Sequence, residues 1–192
     1  MPRPLTETPL TSTRLLDGKL LQVYRDEVQV PDGSTSIREW IDHPGASAVV
    51  PLFDDGTTLL VRQFRYPARR EFLEVPAGKL DAPGEDPVTV AMRELEEETG
   101  WKAQHLTSLA SLYPCIGYSN EVIHFFLAEA MDRGRQDLGD GEFLEPVRMP
   151  FRDAVARARR GELADMKTVT ALLLAEAHLE ARRASNGHDP AR

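Results

Sequence analysis

The sequence predicts an α/β fold, with strands and a few helices building a sandwich on a mixed sheet. Three observations predict it. Short apolar runs bounded by turn residues fill the first half of the chain. A helix with clear start and stop signals follows them, and later strand runs alternate with two further helical stretches. The 192 residues suffice for one sizeable core and fall short of two ordinary domains.

In chain order, Leu20 to Gln29 reads as a strand that runs into a turn at Pro31–Asp32–Gly33, and Ser36 to Asp42 as a second strand. Ala46 to Phe53 and Thr58 to Phe64 flank Asp54–Asp55–Gly56, where Asp-Gly between apolar runs signals a hairpin. Phe72 to Pro76 is a short strand. The helix comes next: Asp86 suits its N-cap, Pro87 its first position and Gly100 the position just past its end. Val88, Ala91, Met92 and Leu95 fall at i, i+3, i+4 and i+7, which predicts one apolar stripe facing the core. Further strands are predicted at Leu106 to Tyr113, Val122 to Ala128 and Leu144 to Met149, and helices at Phe151 to Arg160 and Thr168 to Arg182. The first dozen residues, rich in Pro and Thr, and residues 185–192 read as loose ends.

Composition narrows the function. A formal net charge of −8 argues against a nucleic-acid or anionic-membrane partner. Cys115 is the only cysteine, so neither an internal disulfide nor a thiolate metal cage can form; between Pro114 and Ile116 it reads as a small buried residue. With no apolar run after a basic start and no apolar stretch near the roughly 20 residues of a membrane helix, the expected compartment is the cytoplasm. The five histidines show no metal-ligand spacing, and His124, inside an apolar strand, reads as structural. No Walker-type phosphate loop is present.

The chemistry is concentrated between Gly78 and Trp101. At about 3.6 residues per turn, Glu94 and Glu98 stack one turn apart and Glu97 lies beside them. All three leave one flank of the apolar stripe, while Glu96 leaves the other. Each like-charge pair costs roughly a few tenths of a kcal/mol on an exposed helix and more in a cleft. A hard divalent cation removes that cost, and magnesium favours carboxylate and carbonyl oxygen with phosphate oxygens completing its shell. Taken alone, the acidic run also fits a solvated helix face. Its surroundings favour a site: Arg93 can hold Glu97 or Glu85, and the turn from Gly78 to Gly84 brings backbone close to the carboxylates.

This segment resembles the Nudix box: a Gly, five residues, Glu, seven residues, Arg-Glu, an aliphatic residue, any residue, Glu-Glu, any residue, Gly and a bulky apolar residue. Gly78, Glu85, Arg93, Glu94, Leu95, Glu97, Glu98, Gly100 and Trp101 occupy every fixed position. The departure is six residues, rather than five, between Gly78 and Glu85, an insertion placed around Ala82–Pro83. The resemblance implies a Nudix α/β/α sandwich over residues 46–184. It also implies an N-terminal β extension over 1–45 that pairs with a second subunit in a homodimer. It makes Glu94 and Glu98 the principal magnesium ligands (manganese able to substitute), Glu97 a further ligand or bridge, and the Ala77 carbonyl the completing group. Glu85 would pair with Arg93 and orient the helix. The implied reaction is metal-assisted hydrolysis of a pyrophosphate by in-line displacement.

Flanking segments resemble those of the ADP-ribose and nucleoside diphosphate sugar pyrophosphatases. Leu73-Glu74-Val75-Pro76-Ala77-Gly78 and Val61-Arg62-Gln63-Phe64-Arg65-Tyr66 are two of them, with Arg65 implied as a substrate-phosphate contact. Arg38-Glu39-Trp40 resembles a substrate-reaching segment, though it also fits an edge-strand salt bridge; Trp40 fits either base stacking or an interface or core position. Gly117-Tyr118-Ser119-Asn120-Glu121 matches a loop whose acidic end, Glu121, nears the substrate. Ile116 stands where many ADP-ribose members carry Pro, which points to broader nucleoside diphosphate sugars. Asp165-Met166-Lys167-Thr168 is expected to cap the last helix. Glu142, in the Gly-hinged loop Arg135–Glu142, is the candidate general base, with Glu145 and Glu121 as rivals. The expected substrate is therefore a small nucleotide sugar. The alternatives are a different nucleotide pyrophosphate (dinucleoside polyphosphate or damaged nucleotide) or a non-catalytic nucleotide-sensing module.

Overall fold

The computed structural model describes residues 4–81, 84–139 and 141–186. Its contacts divide the chain into two units, Met1–Gly45 with Tyr113–Val122, and Ala46–Leu112 with Ile123–Arg192.

The first unit holds an antiparallel sheet, β1 (Thr8–Asp17), β2 (Gln22–Gln29) and β3 (Thr35–Asp42), in that spatial order. The β2–β3 turn closes because Gly33 takes φ 90° and the Asp32 carboxylate accepts the Ser34 N–H at 2.9 Å. Tyr24 and Trp40 face each other in register, their rings stacked with centroids 5.1 Å apart. The Trp40 indole N–H donates to Asp26 at 2.8 Å, so this Trp has partners within its own sheet. Residues 113–122 join the end of β3: the Ile41 N–H donates to the Tyr118 carbonyl at 2.8 Å, and Asn120 Oδ1 accepts the His43 N–H at 2.8 Å. The expectation of a loose N-terminus fails from Thr8 onward. All ten β1 residues are exposed, so neither face needed an apolar period and the sequence carried no strand signal. Cys115 is half-buried rather than buried; its thiol donates to the Tyr118 hydroxyl at 3.2 Å.

The second unit contains β4 (Ala46–Pro51), β5 (Thr57–Arg65), β6 (Arg70–Glu74), β7 (Ala77–Lys79), α1 (Pro87–Thr99), β8 (Trp101–Leu112), β9 (Ile123–Arg133), β10 (Leu144–Pro150), α2 (Phe151–Arg159) and α3 (Met166–Asn186). One sheet runs β7-β4-β9-β8 and the other β10-β5-β6; β4 and β9 are parallel and the remaining pairs antiparallel, so the larger sheet is mixed. β4 and β9 are buried on both faces, which explains their continuous apolar runs. Ala48, Val50, Phe125 and Leu127 pack with Ala154, Val155, Ala171, Leu172 and Ala175 of α2 and α3. Val49, Phe126 and Ala128 pack with Ala91 and Leu95 of α1. Helix layers on both faces of the sheet make the predicted α/β/α sandwich. Among the described residues no helix is long and apolar enough to cross a membrane.

Several boundaries differ from expectation. β8 starts at Trp101 instead of Leu106; Trp101 packs edge-on against Phe53, with centroids 4.8 Å apart. β9 continues past Ala128 to Arg133, and three-residue β7 is too short to leave a period in the sequence. In α1 the caps fall where predicted, with Asp86 accepting the Val88 N–H at 3.2 Å and Gly100 at φ 72°. Val88, however, is 44% exposed, and Val90 takes its place in the core. Ser185 and Asn186, assigned to the loose tail, belong to α3; residues 187–192 and the Ala82–Pro83 insertion lie outside the described residues. His124 is half-buried, its Nδ1 2.8 Å from the Ser111 hydroxyl.

Asp165 caps α3, its Oδ2 accepting the Thr168 N–H at 3.0 Å, the Thr168 hydroxyl at 2.6 Å and the Lys167 ammonium at 3.0 Å. Burial alone would raise its pKa, but the Lys167 charge and the Thr168 bonds outweigh burial and leave it below the ordinary 3.8. A depressed carboxylate stabilises the fold above its unfolded pKa, and that stability is lost as pH falls through the folded one. Asp165→Ala is expected to cost about 1–2 kcal/mol in urea unfolding at pH 7. The gap from wild type should shrink below pH 3.8; a pH-independent gap would refute the charge argument.

Candidate active site

The site is built where α1 passes β7. Gly78 of β7 lies against the Glu94 carboxylate so closely that a Cβ there would sit 1.9 Å from Glu94 Cδ and 2.1 Å from Oε1. Only a residue without a side chain leaves the carboxylate its place. One turn on, Glu98 is 8% exposed and its Oε2 accepts the Ala77 N–H at 3.1 Å. Burial, then repulsion from Glu94, raise the Glu98 carboxyl to about 8, against partial relief from the Ala77 N–H and the Lys167 charge. Burial is also the main reason Glu94 stands at about 7; Arg93 opposes it, while Glu97 and Glu142 add to it. Burial and neighbouring acids thus outweigh the positive charges that reach the two carboxyls, Arg93 for Glu94 and Lys167 for Glu98.

The other box residues separate by role. Glu96 leaves the opposite flank, as helix geometry predicted, and pairs with Lys102 at 3.1 Å. Glu97 is half-buried, and no side-chain partner holds it among the described residues. Arg93 was expected to hold Glu97 or Glu85. Its guanidinium instead donates to Asp81, with Glu94 at 3.5 Å and Glu85 only within 3.8 Å. Glu85 accepts the Asp81 N–H at 2.7 Å, so it reaches Arg93 mainly through Asp81. Asp81 sits in the loop that carries the extra residue.

A ready-made cage is not what these residues form: among those described, no three His, Cys, Asp or Glu side chains converge on a common cation position. Two observations nonetheless fit a divalent cation. Burial and like charge dominate at both Glu94 and Glu98, and the glycine-only approach at residue 78 keeps the Glu94 carboxylate in place. The Ala77 group seen in contact with these acids is its N–H.

Glu142 lies in the loop before β10; its Oε2 accepts the Gly139 N–H at 3.2 Å, and its charge acts on both Glu94 and Glu98. Its rival Glu145 is clamped to Arg62, its cross-strand partner, in an exposed ion pair. Glu121, in the first unit, lies 3.8 Å from His43 Nδ1. Also in that unit, Arg38, Glu39 and Trp40 meet Ile116–Asn120 around a hollow of about 240 Å³, so two segments distant in sequence are brought together. Glu39 is exposed, whereas Arg38 is engaged by Glu7, Ser36 and the Ile37 carbonyl.

Arg65 is half-exposed but tethered: its Nε and Nη2 donate to Glu74 at 2.7 and 2.8 Å. Sequence reasoning missed Glu74, which is 3% exposed and also accepts Lys167 at 3.1 Å. The available signal was an acid inside the apolar run Phe72–Pro76, since a buried carboxylate requires a cationic partner. Of its two partners, Arg65 lay nine positions away across a strand pair and Lys167 lay 93 positions away.

Residues 42–173 match the model of the NUDIX domain, and the chain belongs to that family. It is 38% identical over 172 residues to an ADP-ribose pyrophosphatase of Bacillus subtilis (88% of this chain, 92% of the relative). It is 33% identical over 168 residues to a methanol dehydrogenase activator of Bacillus methanolicus (86% and 90%). A GDP-mannose pyrophosphatase of Yersinia enterocolitica is 36% identical over 163 residues (78% and 84%). Among solved structures, an ADP compounds hydrolase superposes with a TM-score of 0.80 at 23% identity, covering 92% of this chain and 95% of that one, which supports the fold.

Gly78→Ala should displace the Glu94 carboxylate at little cost to stability, because what yields is the far end of a side chain. Thermal unfolding is expected to stay within about 1 kcal/mol of wild type. Calorimetric titration with magnesium should show affinity reduced at least about tenfold, or about 1.4 kcal/mol. Unchanged affinity in the folded variant would remove Gly78 and Glu94 from the cation site.

Proposed function

We propose that this chain hydrolyses the pyrophosphate of ADP-ribose or another nucleoside diphosphate sugar, giving a nucleoside monophosphate and a sugar phosphate. The carrying observation is the Glu94–Glu98 pair: Glu98 is buried, Glu94 is half-buried against Gly78, and both carboxyls are pushed up, to about 8 and about 7. Glu94 and Glu98 would hold magnesium, or manganese in its stead, with Glu97 and the Ala77 carbonyl as further ligands. Bound there, the metal would polarise a phosphorus centre and lower the pKa of the attacking water. Glu142 would accept the proton of that water. The new P–O bond forms as the bridging P–O bond breaks, and the bridging oxygen departs with the second phosphate. Arg65 would hold a phosphate oxygen, and Glu85, through Asp81 and Arg93, would steady the helix. Arg38, Glu39 and Glu121 are further proposed substrate contacts; Arg38 must part from Glu7 to serve.

The relatives named as pyrophosphatases of ADP-ribose and GDP-mannose support this substrate class. A net charge of −8 is compatible with it if metal and arginine supply the local positive field. We read the protein as a cytoplasmic homodimer joined through residues 1–45, a reading supported by the fully exposed strand β1 with Leu10, Leu15 and Leu16 outside the core. A regulatory module is the second reading, favoured by the relative named as an activator; intact box carboxylates favour catalysis.

Phosphorus product analysis with magnesium across ADP-ribose, ADP-glucose and GDP-mannose tests the proposal. A nucleoside monophosphate and a sugar phosphate are expected, and faster turnover of a nucleoside triphosphate would overturn the substrate class. Glu98→Gln should slow hydrolysis at least about a hundredfold, or roughly 2.7 kcal/mol. Tight nucleotide binding with no hydrolysis would favour the regulatory reading.

A further inference from the structure

We infer that Glu74 is a positioning residue for hydrolysis: it holds Arg65 by one edge of the guanidinium and so keeps the other edge presented to a phosphate oxygen of the substrate. The inference rests on the proposed role of Arg65.

The geometry is specific. Arg65 stands at the end of β5 with a side chain 46% exposed, where an untethered arginine samples many rotamers. Roughly 2 kcal/mol of rotamer entropy would have to be lost each time it bound an anion. Glu74, whose side chain is 4% exposed, ends β6 on the neighbouring strand and takes Nε and Nη2 in a two-point fork. Nη1 has no hydrogen-bond partner among the described residues. The tether thus fixes the plane of the guanidinium and leaves Nη1 and the outer N–H of Nη2 unused. A hollow of about 240 Å³ opens beside it, lined by Arg65, Pro67, Phe72, Asp165 and Met166 among others.

Glu74 is itself held. Lys167 donates to its Oε2 at 3.1 Å and to Asp165 at 3.0 Å, so two cations and two carboxylates alternate. The Arg65 and Lys167 charges both reach Glu98.

Stability alone is a poor reason for this arrangement. A buried ion pair at best roughly offsets its desolvation, and apolar residues of similar size usually do as well. Glu74 occupies a position flanked by Leu73 and Val75 where an apolar residue would otherwise fit. What the carboxylate supplies is orientation.

The test is a double-mutant cycle with ADP-ribose and magnesium. Glu74→Gln keeps the shape but places an amide N–H₂ against a cation. It should raise KM at least about tenfold, with kcat falling less than KM rises. Arg65→Ala should raise KM comparably, and the double variant should be no worse than Arg65→Ala alone. A purely structural role predicts instead a lowered melting temperature, unchanged KM and additive effects; that result overturns the inference. If Arg65→Ala leaves KM unchanged, the phosphate role of Arg65 falls and this inference with it. If Arg65→Ala raises KM and Glu74→Gln does not, the inference alone falls. Should Glu74→Gln not fold, Glu74→Asp withdraws the same charge by one methylene. The expected result is again a raised KM, and an unchanged one is fatal.

Discussion

The organisation of the second unit depends on how tightly residues 74 to 78 are held. Each makes its own contact with a different part of the unit. Glu74 grips Arg65 and Lys167; the Val75 N–H donates to the Thr168 hydroxyl at 2.8 Å; the Pro76 carbonyl accepts the Val49 N–H at 2.9 Å; the Ala77 N–H meets Glu98; and Gly78 abuts Glu94. Five successive residues thereby connect β5, α3, β4 and both acids of α1. Backbone fixed at every step cannot drift, so the acids it touches are located to within a fraction of a residue. That matters where a small misplacement of a ligand or phosphate contact costs orders of magnitude in rate.

The same segment explains how charges of both signs coexist close together. Burial and mutual repulsion push up the two acids on α1 although Arg93 acts on Glu94 and Lys167 on Glu98. Glu74 and Asp165 hold cations in direct ion pairs, Arg65 on Glu74 and Lys167 on both. Burial would raise the Glu74 carboxyl, but the Arg65 hydrogen bonds and the Lys167 charge outweigh burial and hold it below its ordinary value. Glu74 therefore stays charged while Glu94 and Glu98 move the other way, to about 7 and about 8. The opposite directions have different causes: ion pairs lower Glu74, and burial raises Glu94 and Glu98.

What could be read from the sequence was what is local in it. α1 was legible because its caps, apolar spacing and acids all lie within one helix. Even there the burial stripe was misread at one residue: Val90 and not Val88 faces the core, since an apolar residue in the first turn satisfies the periodicity whether or not anything covers it. β1 escaped notice because it buries nothing. Asp81 escaped because Arg93 had nearer acids to choose from, and nothing in the spacing says which one the chain will fold toward. Glu74 was visible as an acid among apolar residues, but its partners come from β5 and from the start of α3, brought together only by the sheet and the capping of that helix.

This distinction between local and assembled groups bears on how the family signature and substrate choice relate. The box acids sit on one helix and are located by the backbone of residues 77 and 78 beside it. The segments proposed to select the substrate are assembled differently. Arg38 to Trp40 belong to β3, and Gly117 to Glu121 to the connection between β8 and β9, which pairs with β3 through Ile41 and His43. A substitution at Ile116 or Tyr118, both exposed, can reshape that hollow without touching α1. The box acids and the segments proposed to select the substrate thus lie in parts of the chain under different physical constraints. The first are held by burial and close approach, which tolerate almost no change. The second rest on loop backbone bonds and exposed side chains, which tolerate much. The relatives bear the names of two different nucleotide-sugar substrates, ADP-ribose and GDP-mannose, and a difference confined to the less constrained segments is the physically cheaper way to change a preferred sugar or base.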